Sequence, residues 1–395
     1  MITYEQLTPE QDAALEAPLD RPLVVTGPVG SGRSTVAMYR ALIRVAIGHT
    51  ALIVVPDLLR KFRLLASLDD RVGDRLRVVT VGELPGLLLP GTGPVRPTDS
   101  DSWVQLTMRA VERDIRSVSG GWAVLFDDAH DQPVRAVEFA RLFDPAVTIT
   151  VDPEVMVVGD NVDRRTTAKW VDGRGWNRIG LGSSHRLLPQ AARLIAGLRG
   201  RPQQPTDRTS DEPALCLLSS NPTLLTAFVA RLARRDRKQR IAVVCLHQEQ
   251  FAEMSARLRH AVDERSYLPL FGGVTRPPTA KSAGPVVQLS EARWVRGNEF
   301  DVVVIAGLAD RVDRSDNEHL VDALTRACGA AQRTIVFVTE DLVTPQVLAG
   351  LPDVDPTTLQ IHRIQDVLAA LAVPRRASTS PAEPSGSGSA RRPVG

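Results

Sequence analysis

An α/β protein of two tandem domains, each built on a parallel sheet, is the architecture this sequence predicts, and three observations carry it. Short apolar runs recur with helix-compatible or polar segments between them: 23–26, 51–55, 77–81, 123–126, 147–151 and 155–158, then 214–218, 241–246, 285–289, 302–306 and 334–338. Strands that alternate with helices imply βαβ units and hence parallel pairing. The alternation breaks once, over 198–213, where Pro202, Gln203, Gln204, Pro205, Thr206 and Asp207 read as a hinge. Finally, 395 residues at 43% apolar content are enough for two separate cores. The expected division is a first domain over 1–200, a linker over 201–213 and a second domain over 214–373. A tail follows over 374–395, rich in Ser, Pro, Gly and Arg and expected to be disordered for want of anything to bury.

The first strand leads into the stretch around which the chain is organised. Leu23-Val24-Val25-Thr26 is followed by Gly27-Pro28-Val29-Gly30-Ser31-Gly32-Arg33-Ser34-Thr35, and a helix-compatible run begins directly after it. Strand, glycine-rich turn and helix in this order make a phosphate-binding P-loop. Gly27, Gly30 and Gly32 let the backbone curl so that successive N–H groups point at one anion, and the helix N-terminus adds its partial positive charge. Ser34 stands where the hydroxyl for a Mg²⁺ ion belongs, with Thr35 beside it, and Arg33 takes the place of a lysine.

A second strand, 123–126, ends in Asp127-Asp128-Ala129-His130-Asp131. Paired acids at the C-terminal edge of a parallel sheet lie where a phosphate-bound metal would sit. Alone, such a pair is as often a turn cap. About a hundred residues past a glycine-rich loop, the metal reading is preferred, with Asp127 holding the ion and Asp128 polarising the attacking water.

Composition narrows the class further. A net charge of +2 gives no global field toward nucleic acid, so any basic groove must be local. Arginines outnumber lysines forty-four to four, which offers an unspecific reason for the arginine at position 33. Three well-separated cysteines imply neither a disulfide framework nor a metal cluster. No leader-like N-terminus and no run near the ~18 apolar residues of a membrane span is present, so a cytoplasmic location is expected.

Four more segments complete the set: Gly159-Asp160-Asn161-Val162-Asp163, Ser184-His185-Arg186, Gly297-Asn298-Glu299-Phe300 and Leu324-Thr325-Arg326-Ala327. With these in order, the chain resembles the UvrD/Rep-type superfamily 1 DNA helicases over about residues 5 to 345. The opening 7–14 is similar to that family's Q-motif, and Asp127 to Asp131 to its D-E-x-Q-D. Gly159-Asp160 resembles its G-D-x-x-Q, Ser184-His185-Arg186 its N-Y-R, Gly297 to Phe300 its K-G-x-E-F, and Leu324 to Ala327 its L-T-R-A. The resemblance implies two RecA-like P-loop NTPase domains that close on ATP and Mg²⁺. In it Gln11 reads adenine, Glu299 holds the ribose, Arg186 contacts phosphate, and Arg326 touches the γ-phosphate from across the cleft. His185 replaces a tyrosine that stacks on the base.

It further implies action on DNA, single-stranded by expectation, in a groove where aromatic rings stack on bases. Trp170 is the candidate ring, with core packing the commoner role for a tryptophan. The family's two large helical insertions have no room here, which points to a protein partner supplying the missing functions.

The departures fall on the chemistry rather than on the grip. A planar guanidinium at position 33 does not enter the loop as a compact ammonium does. Asp128 is one methylene shorter than glutamate, and Asp163 puts a charge where a neutral glutamine is expected. Displacement of about 1 Å can cost ~100-fold in rate. ATP binding with weak or absent hydrolysis is the preferred expectation, and an active ATP-dependent translocase, or an ATPase subunit of a larger DNA-processing complex, stays open beside it.

Overall fold

The structure, a computed structural model, describes residues 6–68, 73–97, 99–113, 121–153, 170–171, 174–200, 206, 209, 212–236, 238–263, 267–270, 287–295, 299–308, 317–339, 341–349, 356 and 358–372. The first part of the chain forms β1 (Leu23–Thr26), β2 (Thr50–Val55), β3 (Leu76–Thr80), β4 (Trp122–Phe126), β5 (Thr148–Val151) and β6 (Asn177–Gly180). They make one six-stranded sheet in the order β3-β2-β4-β5-β1-β6, with every pairing parallel. The remainder forms β7 (Ala214–Leu218), β8 (Ile241–Cys245), β9 (Tyr267–Leu270), β10 (Val287–Glu291), β11 (Phe300–Leu308), β12 (Ala331–Thr339) and β13 (Leu359–Arg363). These make a seven-stranded parallel sheet in the order β13-β7-β12-β11-β8-β10-β9. Two tandem α/β units on parallel sheets, the expected RecA-like arrangement, are therefore present.

The central strands read as unbroken apolar runs because both of their faces are covered. In β2, Leu52 and Val54 pack into one core while Ala51, Ile53 and Val55 pack into another on the opposite face. β8 divides the same way, Ala242 and Val244 to one side and Ile241, Val243 and Cys245 to the other. At about 25 cal/mol per Å² of apolar surface, each fully buried valine or isoleucine stabilises its sheet by ~1.5–3 kcal/mol.

Five helices position the site. α1 (Pro9–Glu16) opens on a capping box, in which Thr8 Oγ1 accepts from the Gln11 backbone and Gln11 Oε1 accepts from the Thr8 backbone. α2 (Arg33–Ala46) follows the glycine loop, and α3 (Leu58–Ser67) starts on the Asp57 cap just after β2. α4 (Pro189–Arg199) lies beyond the Ser184–Arg186 segment, and α5 (Asn317–Cys328) precedes β12.

One expectation of organisation changes. The sequence places α4 in the first domain, before the linker. In the fold, Leu187, Leu188, Ala191, Leu194 and Ile195 pack with Leu324, Ala327 and Phe337 in the core of the second sheet. The chain thus passes from one core to the other just after Arg186. Its apolar face found the closer partner in α5, a tertiary choice that no local pattern displays. The expected strand at 155–158, the segment Gly159–Asp163 and the tail 374–395 lie outside the described residues.

Candidate functional site

The sheet order explains why the glycine loop and the acids meet. β1 and β4 both run toward the same edge, separated only by β5, so the loop after Thr26, the acids after Phe126 and the residue after Val151 emerge side by side. The loop itself needs its glycines. Gly30 and Gly32 sit at φ +82° and +92°, where a Cβ is strained. A Cβ at Gly27 would lie 2.5 Å from Ser31 Oγ. α2 begins on Gly32 with no capping side chain and no acid in its first turn. The orphan N–H groups of Arg33, Ser34 and Thr35 at this helix start are therefore offered to an anion. Thr35 is half-buried in that first turn.

Arg33 does not reach outward. Its Nη1 donates to the carbonyl oxygens of Gly27 and Pro28, the latter at 2.8 Å, so the guanidinium is folded into its own loop. Nη2 meets Asp128 Oδ1 at 3.1 Å and Nη1 lies 3.7 Å from Asp152 Oδ2, all of it buried. A lysine, with three donors on one point, could not reach two carbonyls and two carboxylates at once.

Asp127 is fully buried and its carboxylate accepts from four donors: Ser34 Oγ at 3.0 and 2.9 Å, Thr150 Oγ1 at 3.0 Å, and Arg60 Nε and Nη2 at 3.3 and 3.2 Å. Asp128 takes a left-handed backbone, φ +53° and ψ +53°, a region that asparagine and aspartate enter far more readily than longer side chains. That is a structural reason for an aspartate at this position. Its N–H donates to Thr150 Oγ1 at 2.9 Å, and its carboxylate is gripped by Arg33 and, at 2.5 Å, by Arg60 Nη2. Burial alone would lower the Arg60 guanidinium's pKa, but Asp128, Asp127 and Asp57 together raise it above its ordinary value.

The segment Ser184–Arg186, the last before the chain enters the second core, and the second unit itself close the far side. Ser184 Oγ donates to Val29 O at 2.7 Å, and the His185 N–H donates to Gly30 O at 3.0 Å, so this segment lies directly on the glycine loop. Arg186 Nη1 meets Glu299 Oε1 at 3.3 Å. Burial depresses the Arg186 pKa most, Glu299 opposes that, and repulsion from Arg60 and Arg33 adds to it. Arg326, on α5, pairs with Asp322 at 2.5 Å and reaches Asp131 of the first unit at 3.6 Å. It therefore faces the acid turn across the cleft rather than solvent. Burial would lower its pKa, and Asp131, Asp322 and Asp128 raise it.

One sequence expectation is corrected by these contacts, and of the two roles open to Trp170 the commoner, packing, is taken. Gln11 is not turned toward an open base pocket: it is 1% exposed, its Oε1 accepts from Thr8 and its Nε2 donates to Ser31 O at 2.8 Å, over Gly32. It buttresses the loop. Trp170 is no exposed stacking ring; it is buried against Trp176, ring centres 5.7 Å apart, and its Nε1 donates to Glu138 at 3.1 Å. His130 Nδ1 accepts from the Asp152 N–H at 3.0 Å, and the ring is buried. Arg60, Asp152 and Thr150 are the site residues that the sequence did not disclose. An aspartate immediately after the apolar strand β5 was the one available signal.

The Mg²⁺ that the resemblance implies would use Ser34 Oγ and the Asp127 carboxylate. A carboxylate offers about four lone-pair positions, and at Asp127 four protein donors take them. The residues as arranged do not fit the ion.

No family profile matches the sequence, and no curated protein is similar to it. Solved structures that resemble it include the arterivirus nonstructural protein 10 helicase with DNA, at 14% identity and TM-score 0.41 over 83% of this chain and 62% of that one. The PRRSV helicase aligns at 13% identity and TM-score 0.40, over 83% of this chain and 54% of that one. The C-terminal domain of a possible DNA helicase from a Lactobacillus aligns at 12% identity and TM-score 0.33, covering 45% of this chain and 98% of the domain. The chain spans just over half the length of the two viral helicases. No helix among the described residues is long and apolar enough to cross a membrane.

Proposed function

We propose that this protein is an ATP-binding, superfamily 1 helicase-like protein of the UvrD/Rep kind that acts on single-stranded DNA and hydrolyses ATP weakly or not at all. The observation that carries the reading is the engagement of Asp128. The carboxylate in the place of the water-activating base is clamped by two guanidinium groups, those of buried Arg33 and half-buried Arg60. A carboxylate held in two charge-assisted pairs is a poor proton acceptor. The grip on phosphate is better supported than the chemistry. An uncapped helix start, a glycine cradle and the arginines at 186 and 326 converge on one cleft.

A second reading, an active translocase or the ATPase subunit of a DNA-processing assembly with a protein partner, draws on Arg326 and Arg186. Both lie at the junction of the two units, where closure on a triphosphate would act on them. Phosphate release from ATP, measured with and without a single-stranded oligonucleotide, separates the readings. The proposal expects binding of a fluorescent ATP analogue with no DNA-stimulated turnover. Stimulation of a hundredfold or more would establish the translocase instead, and absence of nucleotide binding would sink both.

A further inference from the structure

The side chain of Arg60 has no counterpart among the sequence motifs, yet it sits at the centre of the acid cluster. It enters from the first turn of α3, three positions past the Asp57 cap, which accepts from the Arg60 N–H at 2.9 Å and so fixes the start of that helix. Its Nη2 lies 3.2 Å from Ser34 Oγ, 3.2 Å from Asp127 Oδ2 and 2.5 Å from Asp128 Oδ2. Its Nε donates to the same Asp127 oxygen at 3.3 Å. One cationic group thus touches the loop hydroxyl and both acids, the three groups among which a phosphate-bound divalent ion would have to sit.

We infer that Arg60 is a built-in cation in the position of the divalent metal, so that this site takes the phosphates of a nucleotide without Mg²⁺. The inference rests on the nucleotide-binding reading above and deepens it. Asp127 has its lone-pair positions filled by Ser34, Thr150 and Arg60. For a metal to enter, a guanidinium paired with two buried carboxylates would have to leave, and separating such pairs is strongly unfavourable. The exchange gains nothing that the fold lacks, because the charge of Asp127 is already countered. Arg60 can serve phosphate as well as carboxylate. Nε and Nη2 make the bonds described, and Nη1 carries two further N–H groups of the planar fork that suits phosphate oxygens.

The arrangement is specific to this chain's residues. Arg33 alone could not fill the role, since its fork is bound to the Gly27 and Pro28 carbonyls on the other side of Asp128.

Two measurements test the inference. The first titrates the full chain with a fluorescent ATP analogue in excess EDTA and again in millimolar Mg²⁺. Equal affinities, within about twofold, are expected; a tenfold or greater weakening by EDTA overturns the inference. The second uses Mn²⁺ alone, followed by electron paramagnetic resonance, with no nucleotide present. The wild-type chain should hold no Mn²⁺ at this site, while Arg60→Ala, or Arg60→Gln if the alanine chain does not fold, should acquire one bound ion. A wild-type Mn²⁺ ion that is lost on Asp127→Asn overturns the inference whatever the variants at position 60 do. Failure of the analogue to bind in either buffer would count against the nucleotide reading, and the Mn²⁺ result would still decide whether Arg60 excludes the metal.

Discussion

Replacing Arg33 by alanine removes a buried guanidinium that holds four partners at once. Two are the carbonyl oxygens of Gly27 and Pro28, and two are the carboxylates of Asp128 and Asp152. Deleting one member of a buried ion pair costs about 3–5 kcal/mol, chiefly because the remaining charge is stranded. Asp128 keeps Arg60 as a partner, so the lower end of that range, about 3 kcal/mol, applies here. For a unit of 150–250 residues each kcal/mol moves Tm by about 2–4 °C, which gives a fall of about 6–12 °C. Differential scanning calorimetry of wild type, Arg33→Ala and Arg33→Lys measures it. The lysine chain keeps a charge but loses the fork, and its Tm should fall between the other two. An Arg33→Ala chain melting within about 1 °C of wild type would mean that the guanidinium does not occupy this pocket, and the account of the clamped Asp128 would fall with it.

Three further outcomes follow from the geometry. Gly30→Ala adds a Cβ 2.6 Å from the Arg186 Cβ at a backbone of φ +82°, so nucleotide affinity and Tm should both drop, the strain alone amounting to about 1–3 kcal/mol. Trp170→Ala should destabilise the chain by about 3–5 kcal/mol, as for other buried aromatics, yet leave oligonucleotide affinity unchanged below the melting temperature; a selective loss of DNA binding would restore the stacking role. Burial pushes the thiols of Cys216, Cys245 and Cys328 from 9.0 up to about 12, so none should react with Ellman's reagent in the native state at pH 8. Because a raised folded-state pKa stabilises below the unfolded value and is lost as pH rises toward the folded one, stability should decline across about pH 9 to 12, as pH-dependent chemical denaturation would read directly.

The legibility of the fold followed burial. β1, β2, β4, β8, β11 and β12 are covered on both faces, so they announce themselves as apolar runs. β6 and β13 do not, because an edge strand half in water carries polar residues: Asn-Arg-Ile-Gly in one and Leu-Gln-Ile-His-Arg in the other. The same distinction governs the site. Gly27, Gly30, Gly32, Ser34, Asp127 and Asp128 lie within two local motifs, and spacing alone reveals them. Arg60 and Asp152 become neighbours of those residues only because β5 is inserted between β1 and β4 and α3 leaves β2 at the same edge. Gln11 was legible as a residue of the site but not in its orientation, which the capping box of α1 decides.

The placement of α4 has a mechanical consequence. The segment before it is sewn to the glycine loop by Ser184 and by the His185 N–H, and the helix after it is anchored in the second core. Only Arg186 and its immediate neighbours separate those two attachments. Any swing of the rear unit therefore tugs the curl of backbone between Val29 and Gly30, so the pivot of the molecule and the rim of its anion cradle are one and the same piece of chain.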